Sequence, residues 1–284
     1  MRDWAALPRE VLAAVLRKLD HIEILMGPGQ ACRSWRCAAR DDPALWRRID
    51  MRGHADLFYQ LNLHGMAQAA VRRARIAIRR AKGQCEAFWA EYAADDGVLQ
   101  LLGEQSASLK ILNLISCHEV SNKGFAELVT KSPLLEDLSL ELCPKIGGRS
   151  VYESTGKACP QLKRFSLRRE CFRFSLNYPR RVAYPDRYRE ARGFRAMREL
   201  RSLSLVGSSI SNKELEAILD RCPHLETLFL RDCYAIKVAA GSNLRAKCAR
   251  IKTVTLRQFK PVSVLNGRRQ WVLQEIQLPA MPQH

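Results

Sequence analysis

The sequence has 284 residues, of which 47% are hydrophobic, and a formal net charge of +18 at pH 7. This length allows one large domain or two ordinary ones, and the hydrophobic fraction is typical of a globular protein rather than a disordered one. No stretch approaches the roughly 18 apolar residues that a membrane helix needs, and the opening MRDWAALPRE is too charged for a signal peptide. We therefore expect a soluble protein of the nucleus or cytoplasm that has no membrane partner.

The first predicted helices lie in a strongly apolar N-terminal segment. The stretch LPREVLAAVLRKLD, residues 7–20, places five apolar residues on one helix face directly after a proline. A second apolar turn follows and runs into GPG at residues 27–29. Because proline lacks an amide donor and clashes with the preceding turn, the helix should stop near Met26 and restart near Gln30.

These landmarks, continued by CRSW at residues 32–35 and LWRRI at residues 45–49, closely resemble an F-box. The segment also holds more large apolar side chains than three short helices can bury, which is typical of an interface. The resemblance implies docking to the Skp adaptor and, through it, to a cullin. We therefore predict an F-box over residues 1–50 and a helical linker or cap over 51–82, with a simple N-terminal cap as the alternative to the F-box. The predicted adaptor-binding residues are Leu7, Pro8, Val11, Leu12, Leu16, Leu19, Leu25, Cys32, Trp35 and Trp46.

A nine-residue pattern with apolar residues at positions 1, 4 and 6 recurs through the rest of the chain. All but one of the spacings fall within the 20–29 residues of leucine-rich repeats, and the pattern resembles that family in its cysteine-containing subtype. With the N-terminal segment, the chain resembles the plant-type F-box proteins with leucine-rich repeats. The implied fold class is α/β: a three-helix F-box, then a repeat solenoid over 83–284 with a curved parallel sheet. The copies begin at Cys85, Leu109, Leu135, Leu162, Leu200, Leu225 and Ile251.

Seven of the ten cysteines keep a fixed position in this repeat. Such phase-locking is typical of small buried side chains and not of metal ligands or disulfides. Free thiols in turn favour a reducing compartment. The seven are Cys85, Cys117, Cys143, Cys159, Cys222, Cys233 and Cys248.

Alternation along each repeat strand predicts which side chains point away from the core. The last outward position of successive repeat strands forms a column that includes Arg168, Arg231 and Arg257. Phe229 is the one large aromatic residue at the outward positions of these strands. We predict that these four residues bind the substrate, which would be an acidic or phosphorylated protein, because arginine pairs bidentately with such groups. The alternative is that the arginines only keep this face soluble. An insertion near residues 170–193 interrupts the period, and it is either a plain surface loop or a binding loop.

The remaining sequence signals argue against an enzyme. No HExxH, GxSxG, P-loop or glycine-rich dinucleotide turn is present, so no catalytic, cofactor or metal site is predicted. We predict the substrate-recognition subunit of a Skp–cullin–F-box ubiquitin ligase. One alternative is a leucine-rich-repeat scaffold without ligase function. The other is a basic nucleic-acid-associated protein. It is less favoured because no interleaved aromatic residues and no recognition-helix signature accompany the two basic segments, residues 72–82 and 163–201.

Overall fold

A computed structural model describes residues 6–53, 63–169, 190–237, 242–265 and 268–277. The chain forms two compact units: one comprises Met1–Leu135 with Cys143–Ile146, and the other comprises Glu136–Leu142 with Gly147–His284. Most of the insertion predicted near 170–193 lies outside the described residues, and its last part belongs to a short buried helix that begins at Glu190.

The first unit starts with short helices and continues as strand–helix repeats. Strands β1, β2 and β3 pair in parallel in chain order. The elements are α1 (Arg9–Leu16), α2 (His21–Met26), α3 (Pro28–Ala31), α4 (Arg33–Asp41), a 3-10 helix (Pro43–Trp46), β1 (Arg48–Met51), α5 (Leu63–Arg80), β2 (Ala87–Glu91), α6 (Asp96–Gln105), β3 (Ile111–Ile115) and α7 (Asn122–Thr130).

The second unit continues the same alternation. Strands β4 to β8 pair in parallel, whereas β9 pairs antiparallel with β8. The predicted α/β architecture is therefore confirmed, but the sheet is not parallel to its end, because the last strand returns directly without a crossover helix. The elements are β4 (Asp137–Glu141), α8 (Arg149–Ala158), β5 (Arg164–Arg168), α9 (Glu190–Phe194), β6 (Ser202–Val206), α10 (Asn212–Leu219), β7 (Thr227–Arg231), α11 (Asn243–Cys248), β8 (Thr253–Leu265) and β9 (Arg268–Gln277).

Burial in the repeats follows the predicted phase. The apolar residues at positions 1, 4 and 6 of the copies from Cys85 to Ile251 are buried, except Val254, which is half-buried. Neighbours in each strand point to the other face, as the alternation requires. The repeat pattern thus sets the core of the described repeats almost residue by residue.

Strand β1 adds an earlier copy of the repeat, which the sequence interpretation missed. Trp46, Ile49 and Met51 have the spacing of positions 1, 4 and 6 and are fully buried. β1 pairs with β2 from Arg48↔Ala87 onward. The domain boundary predicted at residue 50 therefore falls inside a strand of the repeat sheet. The signal was hidden because the interval to the next copy exceeds the repeat period.

Three of the phase-locked cysteines, Cys117, Cys143 and Cys233, share a structural role. The thiol of Cys117 donates to the carbonyl of Ala90 in the preceding copy at 3.6 Å. Cys143 and Cys233 make the equivalent contacts, each at 3.5 Å, to position 6 of the copy before theirs. A small side chain with a weak donor satisfies this carbonyl without filling the space between copies. The prediction that these thiols are buried and unbridged is confirmed.

Candidate functional sites on the N-terminal helices and the repeat strands

The N-terminal helices start at residues that satisfy their first amides. The carbonyl of Pro8 accepts the amide of Leu12 at 3.0 Å, which opens α1. At α2 the Asp20 carboxylate accepts the Glu23 amide at 2.7 Å, and the Glu23 carboxylate accepts the Asp20 amide at 3.1 Å. This reciprocal capping box fixes where α2 begins.

The GPG segment ends α2 as the sequence predicted. The helix stops at Met26, and Pro28 opens α3 two residues before the predicted restart at Gln30. The amide of Gln30 donates to the carbonyl of Gly27 at 2.8 Å. The earlier restart has a simple cause: a proline at the first helical position loses no hydrogen bond, and its fixed φ already suits the helix.

Three predicted adaptor-binding residues lie instead in the interior of this region. Leu12, Leu16 and Trp46 are at most 1% exposed. The Trp46 indole N–H donates to the carbonyl of Ala39 at 2.8 Å, and the guanidinium of Arg80 lies 5.1 Å from its ring centroid. These side chains hold the helices together, so the prediction that they contact a partner directly is corrected.

The other predicted adaptor contacts keep accessible surface. Pro8 and Val11 are exposed, Val11 to 44%, and the remaining five are half-buried. Met26 is 40% exposed and was missed, although its place just before the GPG turn is a signal that it ends a helix at the surface. Their contact with an adaptor stays a prediction. The accessible set is Leu7, Pro8, Val11, Leu19, Leu25, Cys32 and Trp35.

His21 connects these helices to the first repeat strand. Its Nδ1 accepts the amide of Asp50 at 3.3 Å, so its Nε2 carries the proton and donates to the carbonyl of Leu45 at 2.9 Å. The ring also lies 5.4 Å from that of Trp46, centroid to centroid. The start of α2 and the strand β1 are thus held by the same side chain.

The three arginines predicted to bind the substrate lie in one continuous column across the repeat strands. The pairing register aligns the last residues of β4 to β7 with one another and with the fifth residue of β8. Neighbouring positions in such a column are about 5 Å apart. The column, named the arginine row below, consists of Glu141, Arg168, Val206, Arg231 and Arg257.

Much of the positive charge in the arginine row is already paired. Arg168 lies 3.5 Å from Glu141, and Arg231 lies 3.5 Å from the buried carboxylate of Asp232. The guanidinium of Arg257 lies 5.9 Å from the ring centroid of Phe229, a cation–π contact. The row therefore offers a mixed surface of arginines, carboxylates and one aromatic ring. Of its two neutralising carboxylates, Glu141 could be predicted, since it occupies the same outward column.

Other kinds of site are not visible in the part of the chain that the structure describes. That part holds no cluster of three or more His, Cys, Asp or Glu side chains that could bind a metal ion. Nor does it contain a helix long and apolar enough to cross a membrane.

Comparison with known proteins gives one family match in the N-terminal helical region and another in the repeats. Residues 4–52 match the F-box-like family, and residues 157–270 match the family described as FBD-associated F-box protein At5g56370, LRR repeats. In Arabidopsis thaliana, F-box protein SKIP19 is 32% identical over 87% of this chain and 74% of its own length. The chain belongs to the F-box proteins with leucine-rich repeats.

Further members of this family match over most of the chain. F-box/LRR-repeat protein 9 of Arabidopsis thaliana is 30% identical over 84% of this chain and 90% of its own length. F-box/LRR-repeat protein 23 of the same plant is 33% identical over 87% of this chain. The chain spans about half the length of that last relative, 51%.

Proposed function

We propose that this F-box protein is the substrate-recognition subunit of a Skp–cullin–F-box ubiquitin ligase. In this proposal the N-terminal helices dock the Skp adaptor, and through it a cullin, while the repeats hold a protein substrate. The chain makes and breaks no bond itself. Its contribution is to raise the effective concentration of substrate lysines near the ubiquitin donor. A nuclear or cytoplasmic location is part of the same proposal.

The observation that carries the proposal is the accessible apolar surface of the N-terminal helices α1 to α4, which are called the F-box helices below. Pro8, just before α1, Val11 on α1 and Met26 on α2 are exposed. The same region fully buries Leu12 and Leu16. A small helical region that has a core and still leaves large apolar side chains in water is typical of an interface.

The direct test is a titration of the full chain with a Skp adaptor. Replacing Leu7 and Pro8 together by alanine should weaken binding by more than about 1 kcal/mol, a loss that only a minority of interface residues exceed when truncated. The matched control is Leu134→Ala, which removes another exposed apolar side chain, 38% exposed, far along the sequence. Unchanged affinity in the double variant would favour the scaffold without ligase function.

The substrate half of the proposal rests on the arginine row and Phe229. The triple variant R168E/R231E/R257E should lose captured substrates and keep adaptor binding. Capture with proteasome activity blocked, followed by mass spectrometry, identifies the substrates. A control of equal charge change, K110E/K123E/R245E, should capture the same proteins as the unmodified chain. Recovery of those proteins by the row variant would contradict substrate binding at the row.

The nucleic-acid alternative predicts a different result. Basic proteins that bind mixed DNA or RNA release counterions, so their affinity falls steeply with salt. Strong, salt-dependent binding of a mixed oligonucleotide by the full chain, together with no adaptor capture, would favour that alternative over the ligase proposal.

A further inference from the structure

A basic groove lies among the helices of the second unit and includes no residue of the arginine row. It has a volume of about 590 Å³ and lies among α8, α9 and α10. Among the described residues that line it are seven Lys or Arg side chains and two carboxylates, Glu153 and Glu214. Arg192, Arg195 and Arg198 contribute one side of this lining, which is named the helical groove below.

Close packing of two helices builds the helical groove. A Cβ atom at Gly156 would lie 2.5 Å from the carbonyl carbon of Ala196, and one at Gly193 would lie 2.5 Å from the carbonyl oxygen of Arg149. Only glycine allows this approach. It brings the arginines that follow α9 beside the basic side chains of α8, while alanines such as Ala217 leave space between the long side chains.

The two carboxylates of the helical groove are already engaged. Glu153 lies 3.0 Å from Lys157 and 3.4 Å from Arg149. The hydrogen bond from Lys157, reinforced by Arg149, lowers the pKa of the Glu153 carboxyl, so it stays ionised and neutralises cations of its own helix. Glu214 accepts hydrogen bonds from the amide and hydroxyl of Ser211, which cap α10.

The rest of the positive charge has no such partner. Five exposed cations that line the groove form no ion pair within 4 Å in the described part of the chain. Like charges held side by side repel one another, and a bound anion would relieve that repulsion. In the arginine row, by contrast, Arg168 and Arg231 pair with carboxylates of this chain. The five groove cations are Arg192, Arg195, Arg198, Lys213 and Arg221.

We propose that the helical groove binds a segment of a partner protein that is rich in aspartate and glutamate. Arginine presents a planar fork that fits carboxylates, and five of the seven basic side chains here are arginine. Single-stranded nucleic acid would instead call for aromatic side chains on which bases stack, and no aromatic residue lines the described groove. This contact is a second docking surface, independent of the F-box helices.

Fluorescence anisotropy with a labelled decaglutamate peptide tests the proposal on the full chain. The variant R192E/R195E/R198E should bind the peptide at least about tenfold more weakly, since three ion pairs are lost and three repulsions added. The control K110E/K123E/R245E changes the net charge equally and should bind within about threefold of the unmodified chain. The neutral variant R192Q/R195Q/R198Q should lose an intermediate amount of affinity for the peptide. Because it introduces no new negative charge, it also controls for misfolding caused by charge reversal.

Three results would overturn the proposal. Equal weakening in the groove and control variants would mean that only net charge matters. Unchanged binding in folded R192E/R195E/R198E and R192Q/R195Q/R198Q would place the peptide elsewhere. Tighter binding of a labelled ten-nucleotide thymidine strand, lost in the groove variants alone, would assign the groove to nucleic acid. Adaptor affinity of the groove variants should stay unchanged in every case, so a failure here leaves the ligase proposal standing.

Discussion

The F-box helices and the repeats bury their apolar side chains by different rules. In the repeats, a residue's position in the period decides its burial, so Leu112, Leu138 and Leu203 occupy equivalent core sites. The F-box helices contain no sequence repeat of this kind. Val11 is 44% exposed although Leu12, its neighbour, is 1% exposed. Repetition therefore makes burial predictable, whereas in a small helical region each helix face must be known before a core residue can be distinguished from an interface residue.

The repeat period is interrupted by the insertion near residues 170–193, and a buried ion pair lies beside it. Arg169 and Glu190 flank residues 170–189, and their side chains are 5% and 4% exposed. The Arg169 Nη2 donates to Glu190 Oε1 at 2.5 Å and to the Tyr152 hydroxyl at 2.8 Å. The amide of Gly148 donates to the same carboxylate oxygen at 3.4 Å. The two residues that flank this segment are therefore joined by a buried charged cluster.

Breaking this pair should give the largest loss of stability. Arg169→Met leaves the Glu190 carboxylate buried without its cation and should lower the free energy of unfolding by about 3–5 kcal/mol. Denaturant unfolding measures the effect. The control Lys252→Met removes the exposed partner of Glu226 and should cost less than about 1 kcal/mol.

The double variant Arg169→Met, Glu190→Leu separates the cost of a stranded charge from the loss of the pair. It should recover much of the stability, because an apolar pair of similar volume can replace a buried ion pair. Equal losses in the Arg169 and Lys252 variants would show that water reaches the Arg169–Glu190 pair.

The next largest effect separates core from interface in the F-box helices. Leu16→Ala empties a fully buried site and should lower the free energy of unfolding by about 2–5 kcal/mol. Val11→Ala should change it by less than about 0.5 kcal/mol but should weaken adaptor binding. Unfolding and adaptor titration of both variants measure the contrast. A stability loss in Val11→Ala as large as that in Leu16→Ala would contradict the exposure of Val11 and the burial of Leu16.

How much the sequence could predict follows from the same contrast. Spacing alone located the repeat strands, their inward residues and the buried cysteines. Spacing does not reveal β1, because Trp46 lies within the F-box pattern and far from the next copy of the repeat. It also missed β9, which lies outside the period and returns antiparallel.

The candidate sites were less predictable than the fold, because their charge and shape depend on residues that come together only in the folded chain. The outward column of Arg168, Arg231 and Arg257 could be predicted by alternation, but the pairing of Arg231 with Asp232 depends on the turn after β7. The helical groove was hidden further, because it joins residues from three helices. Only the high charge of residues 163–201 pointed towards it.

The smallest effect at neutral pH concerns the buried thiols of the repeats. Burial raises the pKa of Cys85 and of Cys159 to about 12, from an ordinary value of 9.0. Because the pKa is raised on folding, stability is fully present below pH 9 and falls as pH rises from about 9 to about 12. The slope is about 1.4 kcal/mol per pH unit for each thiol, whereas at pH 8 the effect stays below about 0.1 kcal/mol.

The variant Cys85→Ala, Cys159→Ala should therefore lose stability more gently than the unmodified chain between pH 9 and pH 11. Denaturant unfolding across this range measures the difference in slope, and the lysines that also titrate there are common to both proteins. Leu16→Ala is the control, since it lowers stability at every pH and leaves these thiols in place. Identical slopes in all three proteins would mean that the repeat cysteines ionise in the folded state, which tight packing between successive copies should prevent.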